Sequence, residues 1–175
     1  MDTFETIATK LDVKEYDSKK SVPPEVKLKI LEAARLTGSG VNTQHWRFIL
    51  VQDPEGMKKL ADDSITGKWV EGCNFAVIIL TDPTKGYHLI DAGRVLQDMQ
   101  LAAWNFGVAS RLFSGLDANK YRQDFAIPAQ LSPTVVVGFG YPAKKITGKR
   151  KKRAPLEDLA FLEKYGNKLD RSKLG

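Results

Sequence analysis

Cysteine, histidine and long apolar runs are all scarce in this chain, and each shortage removes a class of function. A single cysteine, Cys73, among 175 residues leaves no internal disulfide and no multi-cysteine zinc site. It also fits a reducing compartment. The two histidines, His45 and His88, are far apart and have no neighbouring cysteine or repeated carboxylate, so no metal-ligand spacing exists. Cys73 stands just ahead of a strand-like run, where an inert, partly buried thiol is expected rather than a nucleophile. The longest apolar runs, Phe75 to Leu80 and Thr134 to Phe139, are strand-sized and far short of a bilayer span. The opening MDTFETIATKLDVKEY has neither the basic start nor the apolar stretch of a secretory signal, and the SKL near the end is followed by Gly175. A soluble, cytoplasmic protein is expected. Ser39 has no strand feeding it, unlike a nucleophile elbow, and no acid–base machinery stands out. If the chain is an enzyme, a bound cofactor does the chemistry.

What is present begins with charge. The net charge is +6, yet Lys144, Lys145, Lys149, Arg150, Lys151, Lys152 and Arg153 follow one another without an acid. Subtracting those seven cations from +6 leaves a remainder of −1, so the excess is one local segment and not a basic face. A solvated run is the simplest reading. A nucleic-acid arm finds only Tyr141 and Phe161 as neighbouring aromatics. A third reading is the anchoring of one phosphate, which needs only two or three well-placed cations.

Periodicity gives the elements. Phe4, Ile7, Ala8 and Leu11 follow helical spacing behind Asp2 or Thr3 as a cap. A second helix starts at Pro24, carries Val26, Ile30, Leu31 and Ala34 inward, and meets Gly38, expected to stop it as a left-handed residue. Arg47 to Val51 reads as a strand, and Asp53-Pro54-Glu55 as a helix start. Phe75 to Leu80 reads as a strand buried on both faces. The longest helix is expected from about Lys85 to Phe106, with Leu89, Ala92, Leu96, Met99, Ala103 and Phe106 as its apolar stripe and Gly107 as its stop. A strand from Val108 to Phe113, a short helix from Asp117 to Phe125 and a strand from Thr134 to Phe139 follow. An amphipathic piece is expected around Leu156 to Tyr165. With no internal repeat and no dividing linker, residues 1–175 read as one domain, including the basic segment 143–156 and the tail 157–175. The irregular interleaving indicates α+β or mixed α/β architecture rather than a doubly wound sheet.

The stretch TGSGVNTQHWRF, Thr37 to Phe48, packs two glycines, Asn, Gln, His and Trp between a helix and a strand. Its G-x-G is no dinucleotide fingerprint. The sixth position is Thr43, and the loop leads from helix to strand, the reverse of a Rossmann turn. Gly138-Phe139-Gly140 does follow a strand, but Tyr141-Pro142 comes next and no helix does.

The ordered set of pieces resembles a known family. Ser39, Asn42, Gln44, Trp46, Arg47 and Phe48, directly after a helix ending E-A-A-R-L, form S-x-x-N-x-Q-x-W-R-F. This is similar to the P-S-x-x-N-x-Q-P-W pattern of the FMN-dependent nitroreductase family. Asp91-Ala92-Gly93 at the start of the long helix, Leu101-Ala102-Ala103 and Gly107 at its end, Ser114-Gly115-Leu116-Asp117, the strand Val135 to Pro142, and Lys151-Lys152-Arg153-Ala154-Pro155-Leu156 resemble the family in the same order. The resemblance spans nearly the whole chain.

It implies a three-layer α-β-α nitroreductase-like fold of the α+β class, with a central mixed, largely antiparallel sheet. It also implies a homodimer with FMN at the subunit interface. The segment Lys10-Leu11-Asp12-Val13-Lys14-Glu15-Tyr16 aligns with the family's R-x-S-x-[RK]-x-[FY]. By resemblance, Lys10, Lys151 and Arg153 face the FMN phosphate, Leu11 and Asp12 adjoin it, and Lys14 faces the flavin N1 and O2 edge. Ser39, Gly40, Asn42 and Gln44 would come from the other subunit, and Ser114 and Gly115 would meet flavin N5 through backbone N–H groups. The activity implied is NAD(P)H-dependent reduction of electron-poor small molecules such as nitroaromatics or quinones, with no nucleic acid, membrane or metal involved. The alternative is a non-catalytic flavin-binding or flavin-delivery protein. Three departures stand out: Asp12 in place of Ser, Lys10 in place of Arg, and Gly38 and His45 in place of the prolines flanking the loop.

Overall fold

The computed structural model describes residues 1–146 and 152–174. Four strands form one sheet in the order β1-β2-β4-β3, with β1 at Arg47–Val51, β2 at Phe75–Thr81, β3 at Ala109–Phe113 and β4 at Ser132–Gly140. All three ladders are antiparallel. The only parallel pairing recorded among the described residues is a single bridge between Asp12 and Ser110 at the outer edge of β3. The expected mixed character of the sheet is thus confined to that bridge.

Every residue of β2 is buried, which explains its unbroken apolar run. Phe75, Val77 and Ile79 face one layer, where they meet α2 (Pro24–Leu36) and α4 (His88–Asn105) through Ile30, Ala34, Val95 and Met99. Ala76, Ile78 and Leu80 face the other, where Met57 and Leu60 of α3 (Pro54–Asp62) and Tyr121 of α5 (Ala118–Asp124) cover them. The period-2 alternation of strand side chains divides one apolar strand between two cores, giving the α-β-α layering. No helix among the described residues is long and apolar enough to cross a membrane.

Several expected boundaries shift. The first helix, α1 (Thr3–Thr9), is capped by the Asp2 carboxylate accepting the Glu5 amide, and it ends before Leu11 because the chain turns out to bridge β3. The helix α4 begins at His88, after a turn that uses Lys85, and stops at a left-handed Gly107 as expected. The amphipathic piece expected around Leu156 to Tyr165 takes the form of one 3-10 turn and a Phe161–Lys168 bridge. Leu156, Leu159 and Tyr165 are exposed there, so the apolar spacing has no core to face.

Gly38 is not the left-handed stop of α2. That helix ends through Thr37, whose hydroxyl donates to the Ala33 carbonyl and bonds Asp98 on α4. The left-handed residues lie further on, at Val41, Asn42 and Gln44.

Candidate functional site

The loop from Gly38 to His45 is built on the first turns of α4. Gly40 donates its amide to Asp91 Oδ2 at 2.9 Å, and His45 Nε2 lies 3.2 Å from the same oxygen. A 3-10 turn at Gly40–Asn42 is closed by Asn42 N–H to Ser39 O and Thr43 N–H to Gly40 O. The Ser39 hydroxyl accepts the Gln44 amide at 2.9 Å, and the Arg47 guanidinium donates to the Gln44 carbonyl. Gly40 is required by close approach, since a Cβ there would stand 2.5 Å from the Tyr87 ring. Val41, β-branched and 91% exposed, takes φ 51°, a conformation that costs energy unless its surroundings enforce it. Trp46 and Phe48 pack into the α2/α4 core, as expected of strand anchors.

The second set of expected residues lies elsewhere. Thr9 accepts from Trp104 Nε1 at 3.0 Å, and Thr6 bonds Asn105, so the segment leading to Lys10 is tied to the far end of α4. Val13 donates to the Ser110 carbonyl, and Ala143 donates to the Glu15 carbonyl. Leu11, Asp12, Val13, Lys14 and Glu15 thereby form one wall of an open cleft of about 330 Å³, with Pro142, Lys144, Lys145 and Ile146 as the other. An apolar depression of about 420 Å³, floored by Trp104 and Gly107, shares Pro142, Lys145 and Ile146 with it. Ser114 and Gly115 follow β3 directly, roughly 13 Å along the strand from Ser110 at about 3.3 Å per residue. Tyr16 fixes this segment: its hydroxyl donates to the Val13 carbonyl at 2.7 Å and its ring lies against Gly140.

Two charges in this segment answer each other. Lys10 Nζ lies 2.5 Å from Asp12 Oδ1, with the lysine side chain 13% exposed and the aspartate 53%. The acid that departs from the family pattern is therefore paired with the cation beside it. Lys14 is exposed on the cleft, as is Lys144, which pairs loosely with Glu15 at 3.4 Å. Arg153 is exposed, and Lys151 lies outside the described residues. Burial pushes the Cys73 thiol up to about 12, so it is an inert thiol at neutral pH.

The loop and the cleft do not meet in one chain. The loop is tied to Asp91 and the cleft segment to Trp104 and Asn105, about 20 Å apart along α4 at 1.5 Å per residue. They also flank opposite edges of the sheet, because the loop feeds β1 and the cleft borders β3, three strand spacings or about 14 Å away. The cleft fits a flavin mononucleotide in its chemistry: Leu11, Val13, Pro142 and Ile146 offer apolar walls, and Lys14, Lys144 and Lys145 a cationic rim.

Asp91, Arg94 and Tyr87 were not expected as site residues. A signal for Asp91 existed, for it lies in register with Val95 and Met99 on the buried side of α4, and a carboxylate there demands partners.

The nitroreductase family's sequence profile matches residues 7–73. A protein of Methanothermobacter thermautotrophicus, named as a candidate NADH dehydrogenase/NAD(P)H nitroreductase, is 30% identical over 153 residues, covering 82% of this chain and 79% of that protein. A crystal structure of a nitroreductase family protein from Clostridium difficile 630 superposes with a TM-score of 0.83 at 26% identity, covering 94% of this chain and 99% of the other. One from Bacteroides thetaiotaomicron superposes at 0.84, with 24% identity over 93% of this chain and 97% of the other.

Proposed function

Because this chain belongs to the nitroreductase family, we propose that it is an FMN-dependent oxidoreductase. It takes reducing equivalents from NAD(P)H and passes them to electron-poor acceptors such as nitroaromatics or quinones. The cleft between Leu11–Glu15 and Pro142–Ile146 is the observation that carries this reading, because it joins apolar walls to a lysine rim beside β3. Bound there, FMN would supply hydride-transfer chemistry between a nicotinamide donor and the acceptor. Lys14 holds a fixed positive charge at the mouth of the cleft, where it would stabilise the anionic reduced ring. Lys144, Lys145, Lys151 and Arg153 supply cations for the phosphate, and Ser114 and Gly115 supply the polar edge beyond β3.

The polar loop then serves a second copy of the chain. Ser39, Asn42 and Gln44 lie too far along α4 to reach the cleft of their own subunit, whereas a two-fold partner can present them to it. Leu36, Val41, Leu89 and Ile90 are exposed around the loop and the start of α4, an apolar surface suited to burial against that partner.

Purified protein should be yellow, or become so with added FMN, and anaerobic NADH or NADPH should bleach it within the turnover time. Absence of flavin absorbance after FMN addition sinks the reading. The Lys10–Asp12 pair favours a second reading, a flavin carrier that holds the cofactor without turnover, because a phosphate ligand is diverted. Stable flavin colour that neither nicotinamide bleaches would select it.

A further inference from the structure

The two positions at which this loop departs from the family pattern, Gly38 and His45, converge on one buried carboxylate. Asp91 is 1% exposed. Its Oδ2 accepts the Gly40 amide and faces His45 Nε2, and its Oδ1 lies 3.6 Å from Arg94 Nη1. Arg94 reaches that position across Gly38, where a Cβ would stand 2.6 Å from its Nη2. His45 is buried as well, with its Nδ1 facing the Asp82 amide at 3.3 Å. A backbone N–H can only donate, so Nδ1 is the accepting nitrogen and Nε2 carries the hydrogen toward Asp91. Tyr87 closes the arrangement, its ring lying over Gly40 and 6.0 Å from the imidazole.

We propose that His45 and Asp91 are positioning residues that hold the Ser39–Gln44 loop in its ligand-presenting shape, replacing the stiffness of two prolines by a buried carboxylate with two hydrogen-bond donors and the Arg94 cation. Three non-glycine residues of that loop, Val41, Asn42 and Gln44, sit at positive φ, and such a backbone persists only where its surroundings fix it. The Asp91 hub grips the loop on both sides of them, through the Gly40 amide before and the His45 ring after. It leaves the Asn42 and Gln44 side chains exposed, while the Ser39 hydroxyl closes the loop by accepting the Gln44 amide. The inference rests on the FMN reading above for what the loop presents to, though not for what holds it.

The test uses the full-length protein with FMN as the probe. His45→Leu removes the donor, and His45→Gln keeps an N–H donor at the same reach. FMN affinity should fall about tenfold in the leucine variant, the size of one hydrogen bond to a charged group, and should return to within about threefold in the glutamine variant. Equal affinity in all three proteins, or a glutamine variant as weak as the leucine one, overturns the positioning role. Amide hydrogen exchange of the unsubstituted protein supplies a reading independent of folding defects. The Gly40 amide should exchange at least about tenfold more slowly than that of exposed Val41, and equal rates would overturn the hub itself. If unsubstituted protein takes up no FMN while Gly40 is protected, the functional reading fails and the loop anchor stands.

Discussion

Replacing Asp12 by serine should tighten FMN binding, even though it removes a contact. In the native chain Asp12 holds Lys10 at 2.5 Å and places a negative charge on the wall of the cleft proposed to hold FMN. At a separation near 6 Å, a unit charge pair is worth roughly 0.7 kcal/mol in water and about 3 kcal/mol at an effective dielectric of 20. Asp12 is half exposed, so solvent screening favours the lower end, about 1 kcal/mol. Freeing Lys10 adds a contribution of the same sign. Together the change is on the order of 1–1.5 kcal/mol, or about five- to tenfold in Kd. Little stability should be lost, since a partly exposed pair contributes about 0–1 kcal/mol. The assay is quenching of FMN fluorescence at low and high ionic strength. The gain should shrink at 1 M salt, where the Debye length is about 3 Å. Unchanged or weaker binding, or a gain indifferent to salt, would refute the electrostatic argument.

Gly40→Ala should destabilise the fold by about 1–3 kcal/mol through the clash with Tyr87, with partial recovery in Gly40→Ala/Tyr87→Ala, as read from urea melts. Lys14→Ala should make the flavin midpoint potential more negative with little change in FMN affinity, while Arg153→Ala should mainly weaken FMN retention; equal losses in both variants would show the two cation roles to be misassigned. Cys73 should resist maleimide at pH 8. Burial raises both the thiol, to about 12, and the Tyr16 phenol, so the folded state keeps protons that the unfolded chain releases. That stability is complete below about pH 9; it should fall by about 1.4 kcal/mol per pH unit from about pH 9 to 12 through the thiol, and additionally above about pH 10 through the phenol, as measured by urea melts.

The strands and most of the long helix are legible because burial dictates their patterns, although Leu89 and Phe106, expected on the helix's apolar stripe, are exposed. The run Phe75 to Leu80 has no alternation, and the strand it forms is covered on both faces. Thr134 to Phe139 extends to Ser132 because Ser132 and Pro133 still pair with Thr81 and Leu80, across a register shift no local pattern announces. In the tail around Leu156 the apolar residues Leu156, Leu159 and Tyr165 are exposed, so burial gives their pattern no layer to pack against. The cleft residues were legible only by resemblance. Nothing in Lys10-Leu11-Asp12 states that the lysine turns to the aspartate, which depends on the chain leaving α1 at Thr9 to bridge Ser110. Asp91 lies on the buried side of α4 with Val95 and Met99, outside the apolar stripe read from the sequence, and its partners lie about 50 positions away, at Gly40 and His45, beyond any local periodicity.

The helix α4 links these observations. It acts as a spacer that keeps two polar assemblies apart, one hung from its first turns and one from its last. A loop meant for its own chain's cleft would need neither strained left-handed backbone nor exposed valine at its tip, since it could fold back over the sheet. Instead Val41 points outward with Asn42 and Gln44 beside it, while the inward-facing groups, Gly40 N–H and His45, are consumed by Asp91. Polar groups directed away from the core, at the end of the molecule opposite the cleft, do not reach a ligand held in their own chain's cleft. In the proposed two-chain site, the Asp91 hub would fix the loop's shape before it meets a second copy of the chain.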